Sequence, residues 1–236
     1  MTNILSVSRI PLENPIGQIL DIVNDPIVTA NFTIVNKSEV EFLLMTVAEL
    51  SSYNAIVFGL SDGGVDVSPK IADIMAAVDA GVRVLFAHDT FDSAWVKKNR
   101  ADLVSYLALK GINPEGKSYN MDESNTIESI QIIDSLHPLI TAYYDLKTLV
   151  APIPVQWTHN NGAIVDKINA KIIIDCPLRL SASDNSYLAI YEDLVAVHKK
   201  IAFCAIGHNE GDWDNFVLPP IDECKIFANI LYWLYS

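Results

Sequence analysis

The sequence predicts an α/β fold: three layers, α/β/α, around a mainly parallel central sheet. Three observations predict it. Runs of strand length, Ala55–Leu60, Val82–Ala87 and Ile201–Ile206, are apolar at nearly every position, as in strands buried on both faces. Segments of helical periodicity separate the early runs. Helix punctuation falls between them, with Ser68-Pro69 as a start and Gly81 as a stop, a cap, a first-turn proline and a C-terminal glycine.

In chain order, Ile4–Ile10 reads as a strand and Pro15 to Val23 as a short helix that stops before Asn24-Asp25-Pro26. Phe32–Val35 is a short strand. Glu39 to Leu50 reads as one helix with Val40, Leu43, Leu44 and Val47 on its apolar face. Ala55–Leu60 precedes the loop Ser61-Asp62-Gly63-Gly64, and a helix capped by Ser68 runs to Ala80 before strand Val82–Ala87. A helix then passes through Trp95 to about Lys110, and Asn113–Thr126 is polar enough to be a loop. Ile127–Ile133 and Val155–Thr158 read as strands, with Asn160-Asn161-Gly162 a hairpin-type turn into Ala163–Val165. Lys171–Asp175 is a further strand, and Tyr187–Tyr191 and Ile201–Ile206 form a closing pair around His198-Lys199-Lys200. The last helix starts near Pro219-Pro220, with Asp222 and Glu223 in its dipole-favoured first turn. Cys224, Phe227, Leu231 and Leu234 sit at core spacing. The expected organisation is one domain over 1–236 with a β-rich insertion at about 113–185.

Composition narrows the function. Half of the 236 residues are apolar and 19% are charged, which argues against disorder. The formal net charge of −13 repels phosphate backbones, so nucleic acid is a disfavoured partner. No run reaches the roughly 18 uncharged apolar residues that cross a bilayer, so no membrane partner is expected. The three cysteines, Cys176, Cys204 and Cys224, are widely spaced, fitting neither a disulfide framework nor a CxxC metal site. Buried free thiols suit a reducing, cytoplasmic setting.

Ligands of open parallel sheets bind beyond the carboxyl ends of the strands, and three residue groups fall there. His88-Asp89-Thr90 follows Val82–Ala87, where a strand–turn–helix connection exposes its central side chain; alternatively Asp89 or Thr90 caps the next helix. Gly207-His208-Asn209-Glu210 follows Ile201–Ile206, and His208 with Glu210 can form an oriented general-base pair; alternatively the loop is merely polar. Thr158-His159-Asn160 ends a strand or builds a polar hairpin. Trp213 stands near His208 in sequence and could line a pocket. His137-Pro138 and His198 read as surface turn positions without a role.

The series Asn54–Gly59, then Ala80-Gly81 to His88-Asp89-Thr90, and the late strand ending Gly207-His208, resembles the flavodoxin-like fold of the class I glutamine amidotransferase-like superfamily. The resemblance spans nearly the whole chain and is strongest over 54–90 and 187–236. It is best to the cysteine-less branches, the ThuA-like proteins and domains of unknown function with an "HDT … TH … GH" series. It implies that His208 and Glu210 match the distal His and Glu of the amidotransferase triad, while the nucleophile elbow falls at about His88. No cysteine stands there, so a thioester route to glutamine hydrolysis is closed. Thr90 is the one alternative hydroxyl.

The resemblance and the residues leave three functions open. A binding domain for a small polar ligand, such as a carbohydrate, would use Thr90, Thr158, His159, Asn209 and Trp213. A hydrolase or lyase would use His88, Asp89, His208 and Glu210 as acid–base groups, or as ligands of Zn²⁺ or Mn²⁺. The third is a structural or homo-oligomerising subunit. The sequence assigns no cofactor.

Overall fold

Five strands run side by side in one direction in the molecule, seen here in a computed structural model. The structure describes residues 2–8, 14–60, 65–87, 90, 105–107, 109–115, 128–151, 153–155, 161–164, 170–175, 186–193, 195–196, 200–204 and 220–236. The strands are β1 (Thr2–Ser8), β2 (Phe32–Ser38), β3 (Ala55–Phe58), β4 (Arg83–Ala87), β5 (Ile112–Glu115), β6 (Glu128–Ile132), β7 (Ile153–Val155), β8 (Asn161–Ile164), β9 (Ala170–Asp175), β10 (Ser186–Glu192) and β11 (Lys200–Cys204). The helices are α1 (Pro15–Val23), α2 (Pro26–Asn31), α3 (Glu39–Leu44), α4 (Val47–Leu50), α5 (Ile71–Asp79) and α6 (Ile221–Tyr235). The sheet order is β2-β1-β3-β4-β11-β10-β9-β6-β7, with β8 also on β10 and β5 on β8.

The expected mainly parallel, three-layer, flavodoxin-like sheet is overturned by this pairing. Among the described residues four strand pairs are parallel: β1–β2, β1–β3, β3–β4 and β4–β11. Six are antiparallel, and they build the other half of a mixed sheet. An apolar run reports burial of both faces, not the direction of its neighbour. Strand β10 is buried along almost its whole length and yet is antiparallel to β9 and β11.

Alternation along the central strands divides the core. Ile4, Val57, Leu85, Ala202 and Cys204 face one cluster, with Ile16, Ile19 and Leu20 of α1 and the apolar residues of α6. Leu5, Val7, Ile56, Phe58, Val84, Phe86, Ile201 and Phe203 face the other, with Phe42, Leu50 and Ile74 of α3, α4 and α5. This is the strand period of two carried across adjacent strands.

Several local expectations change. The helix expected over Glu39–Leu50 is two helices, each opened by a capping box: Ser38 with Glu41, and Thr46 with Glu49. Thr46 holds ψ at 163°, an extended value that ends α3 while starting α4. Val40 and Leu44, expected on the apolar face, are 68% and 79% exposed, and Phe42 and Leu50 are buried instead. Asn24-Asp25-Pro26 ends α1 and also starts α2, because Asp25 accepts from the backbone N–H groups of Ile27 and Val28. Ser68 lies in a 3-10 turn and bonds Asp66 rather than capping α5. The polar stretch expected as a loop from Asn113 begins as β5, and Asn161 and Gly162 of the expected turn lie in β8, which pairs with it. Pairing partners far along the chain outweigh turn propensity there. The closing pair expected from the sequence is present as antiparallel β10–β11.

The segment 138–148 is tied to α6 by Asn229. Its Oδ1 accepts from the Tyr144 N–H at 2.8 Å, and its Nδ2 donates to the carbonyls of Leu139 and Tyr144 at 2.9 and 2.8 Å. The side chain is fully buried. Replacing Asn229 by Leu strands these backbone groups without water, so a loss of about 3 kcal/mol is expected. Urea unfolding checks it, and a loss below about 1 kcal/mol would refute the clamp.

Candidate functional site

Because β1, β3, β4 and β11 run in parallel, their carboxyl ends share one edge of the sheet. They end at Ser8, Phe58, Ala87 and Cys204, and Ala87 and Cys204 are register partners. Ser8 is buried at this edge. Thr90 follows β4, is fully buried, and donates its hydroxyl proton to the Ala87 carbonyl at 2.7 Å. That bond closes the turn and leaves the Thr90 oxygen as an acceptor. Gly59, directly after β3, has φ of +75°. A Cβ there would collide with Thr90 Oγ1 and lie 2.5 Å from the Ala87 carbonyl oxygen. Glycine is therefore required twice, for its backbone angle and for the close approach of two strand-end turns.

A second group completes the same edge. Leu188 of β10 opposes Cys204 in the antiparallel register, so Ser186 and Tyr187 lie beside the end of β11. The first turn of α6 brings Glu223 to them. The Tyr187 hydroxyl donates to Glu223 Oε1 at 2.6 Å, and both residues are buried. Donation to a buried acid explains the short distance. Burial, and then the Glu223 charge, push the Tyr187 hydroxyl well above its ordinary range, so it remains a proton donor. Cys204 and Cys224 are buried thiols. Burial, followed by the Glu223 charge, pushes the Cys224 thiol up to about 12, which makes it unreactive at neutral pH.

Tyr187 and Glu223 escaped the sequence reading. Tyr187 lies in an apolar strand, and Glu223 was explained by the helix dipole. The available signal was its spacing: Glu223 stands four residues before the core residue Phe227, placing a carboxylate on the apolar face. Of the residues expected from the sequence, Thr90 is at the edge described above. His88, Asp89, Thr158, His159, His208, Asn209, Glu210 and Trp213 lie outside the described residues. Among the described residues, no group of three or more His, Cys, Asp or Glu could hold a metal ion, and no helix is long and apolar enough to cross a membrane.

His137 corrects another expectation, since it is 4% exposed rather than a surface turn residue. Its Nδ1 accepts from the Leu139 N–H at 3.2 Å, and its Nε2 lies 3.3 Å from Glu192 Oε2. Those partners assign the proton to Nε2 and leave the ring neutral. Trp233 Nε1 donates to the other oxygen of Glu192 at 3.1 Å. The cluster lies where β10 ends and β11 begins, on the opposite edge from Tyr187 and Glu223.

The arrangement can be set against known proteins. No family model matches the chain, and no curated protein does. Among solved structures, one from Bacteroides uniformis described as ThuA-like matches with a TM-score of 0.60 and 9% identity, over 98% of this chain and 90% of that one. The fold is ThuA-like. The N-terminal domain of mmIFT52 matches with a TM-score of 0.60 and 12% identity, over 99% of this chain and 97% of that one. A cytoplasmic protein from Salmonella typhimurium matches with a TM-score of 0.56 and 11% identity, over 98% of each chain. At such identities the likeness is one of fold.

Two substitutions test the edge. Gly59→Ala is expected to cost about 2 kcal/mol or more, from the positive φ and the backbone collision together. Tyr187→Phe removes the hydroxyl that Glu223 faces and is expected to cost about 2 kcal/mol. Denaturant midpoints measure both, and a neutral Gly59→Ala would contradict the packing of the two turns.

Proposed function

We propose that this chain is a ThuA-like domain of the amidotransferase-like kind, without the cysteine nucleophile, that binds a small polar ligand of the carbohydrate class. The ligand sits beyond the carboxyl ends of β1, β3, β4 and β11. One observation carries the reading: the parallel strands β1, β3, β4 and β11 end together, next to the buried Tyr187–Glu223 pair. His88 and Asp89 follow Ala87 directly, and His208, Asn209 and Glu210 follow Cys204 by four to six residues. Since Ala87 and Cys204 are register partners, both segments leave the sheet from neighbouring positions. Thr158, His159 and Trp213 are the proposed outer residues. A polyhydroxylated ligand suits such a rim, because each hydroxyl both donates and accepts. The carbohydrate class rests on the ThuA-like likeness.

The Tyr187–Glu223 pair also favours a second reading, a hydrolase or lyase in which His88, Asp89, His208 and Glu210 transfer protons. A hydroxyl that stays protonated beside a buried acid would orient such groups without ionising.

A thermal-shift screen of neutral mono- and disaccharides tests the first reading. A sugar present at a hundredfold excess over Kd is expected to add about 2.7 kcal/mol of stability, and His208→Ala should remove the shift. If no sugar raises Tm, the carbohydrate reading fails. If His88→Ala and His208→Ala are also silent in every assay, a structural subunit is the function that stands.

A further inference from the structure

We propose that Arg83 and Lys200 form a binding site for a small oxyanion, a carboxylate or a phosphate, at the amino-terminal edge of the parallel strands. This site is separate from the carboxyl edge and does not depend on the reading above.

The placement follows from strand geometry. β4 begins at Arg83 and β11 at Lys200, and the two strands are parallel neighbours with Val84 opposite Ile201. Arg83 and Lys200 each stand one position earlier, so they are neighbours too. Leu85 and Ala202 face the core cluster that contains α6, so the period of two turns Arg83 and Lys200 to that same face.

Their bonding differs. Lys200 is 5% exposed, and its ammonium donates to the Trp233 carbonyl at 2.8 Å and to Ser236 Oγ at 3.2 Å. Two of its three N–H groups are committed, and it already offsets the carbonyl end of α6. Arg83 has no such partner. Among the described residues its guanidinium makes no hydrogen bond or ion pair, and its Nε is buried without a partner. The contrast is with Lys37, Lys70 and Lys225, paired with Glu41, Asp73 and Asp222. An unpaired, half-buried guanidinium is unexpected in a chain with 29 acidic and 16 basic residues.

The local charge selects the ligand. Glu192 is the carboxylate facing Lys200, and both of its oxygens are taken, by His137 and Trp233. His137 is neutral in this bonding. Lys200 answers Glu192 and the carbonyl end of α6, whereas Arg83 meets no carboxylate among the described residues, so its charge is the one an oxyanion would balance. The free N–H groups are those of the guanidinium fork, since the Lys200 ammonium also lies over the Trp233 ring at 5.1 Å, and the fork matches two oxygens of a planar or tetrahedral oxyanion. Burial holds both cations below their ordinary range, and for Lys200 the neighbouring Arg83 adds to the effect. An anion would relieve both.

Isothermal titration with inorganic phosphate, and separately with acetate, at fixed ionic strength and with chloride as the control, tests the site. Saturable binding of both anions at one competing site is expected, weakened about tenfold or more in Arg83→Gln and less in Arg83→Lys, which keeps the charge but loses the fork. His208→Ala should leave it unchanged. Should Arg83→Gln fail to fold, phenylglyoxal labelling of the unaltered protein gives a second readout. Mass spectrometry should then show Arg83 protected by phosphate, and not by chloride. Absence of saturable binding, equal binding in Arg83→Gln, or labelling of Arg83 that phosphate does not slow would each overturn the proposal.

Discussion

Burial of α6 against the sheet is the constraint on which the rest of the structure depends. Ten of its fifteen residues are buried, including Glu223 and Asn229. An apolar stripe alone would let a helix slide or rotate, because dispersion contacts are not directional. Buried polar atoms remove that freedom, since each needs a partner in one place. Glu223 meets Tyr187 at the carboxyl edge, Asn229 holds the segment 138–148, and the last turn takes up Lys200 and Trp233's partner Glu192. Three polar contacts along one helix set its register on β10 and β11.

That register gives the two ends of the sheet different chemistry. At the carboxyl edge, Gly59 and Thr90 bring strand-end turns into contact, and a tyrosine faces a buried acid. At the amino edge, Lys200 meets the carbonyl end of α6 and Arg83 stands beside it without a hydrogen-bond partner for its Nε. The −13 net charge is therefore a poor guide to local potential. It describes the solvated surface, while the amino edge sets Arg83 and Lys200 at the starts of neighbouring strands.

Much of the parallel half was legible in the sequence. β1, α1, β3, β4, the glycine stop after α5 and the β10–β11 pair appear where apolar runs and helix punctuation put them. The helical face of 39–50 was misread because Val40, Leu43, Leu44 and Val47 fit a helical stripe by spacing alone. The capping box at Thr46 breaks that helix, and Phe42 of α3 and Leu50 of α4 are the residues buried instead. His137 was misread because a His-Pro pair signals a turn, and a turn is usually exposed. Its burial depends on Trp233 and Glu192, 96 and 55 residues away.

The sequence by itself determined which segments are buried on both faces, where α1 starts and stops, and that α5 stops before Gly81. These are local properties, written in the order of apolar and polar residues and in caps. The tertiary structure alone decided strand direction in the second half, the meeting of Tyr187 with Glu223, and the pairing of Arg83 with Lys200. Direction and long-range contact depend on which distant segment arrives as a neighbour, and an apolar strand has the same composition whichever way its neighbour runs.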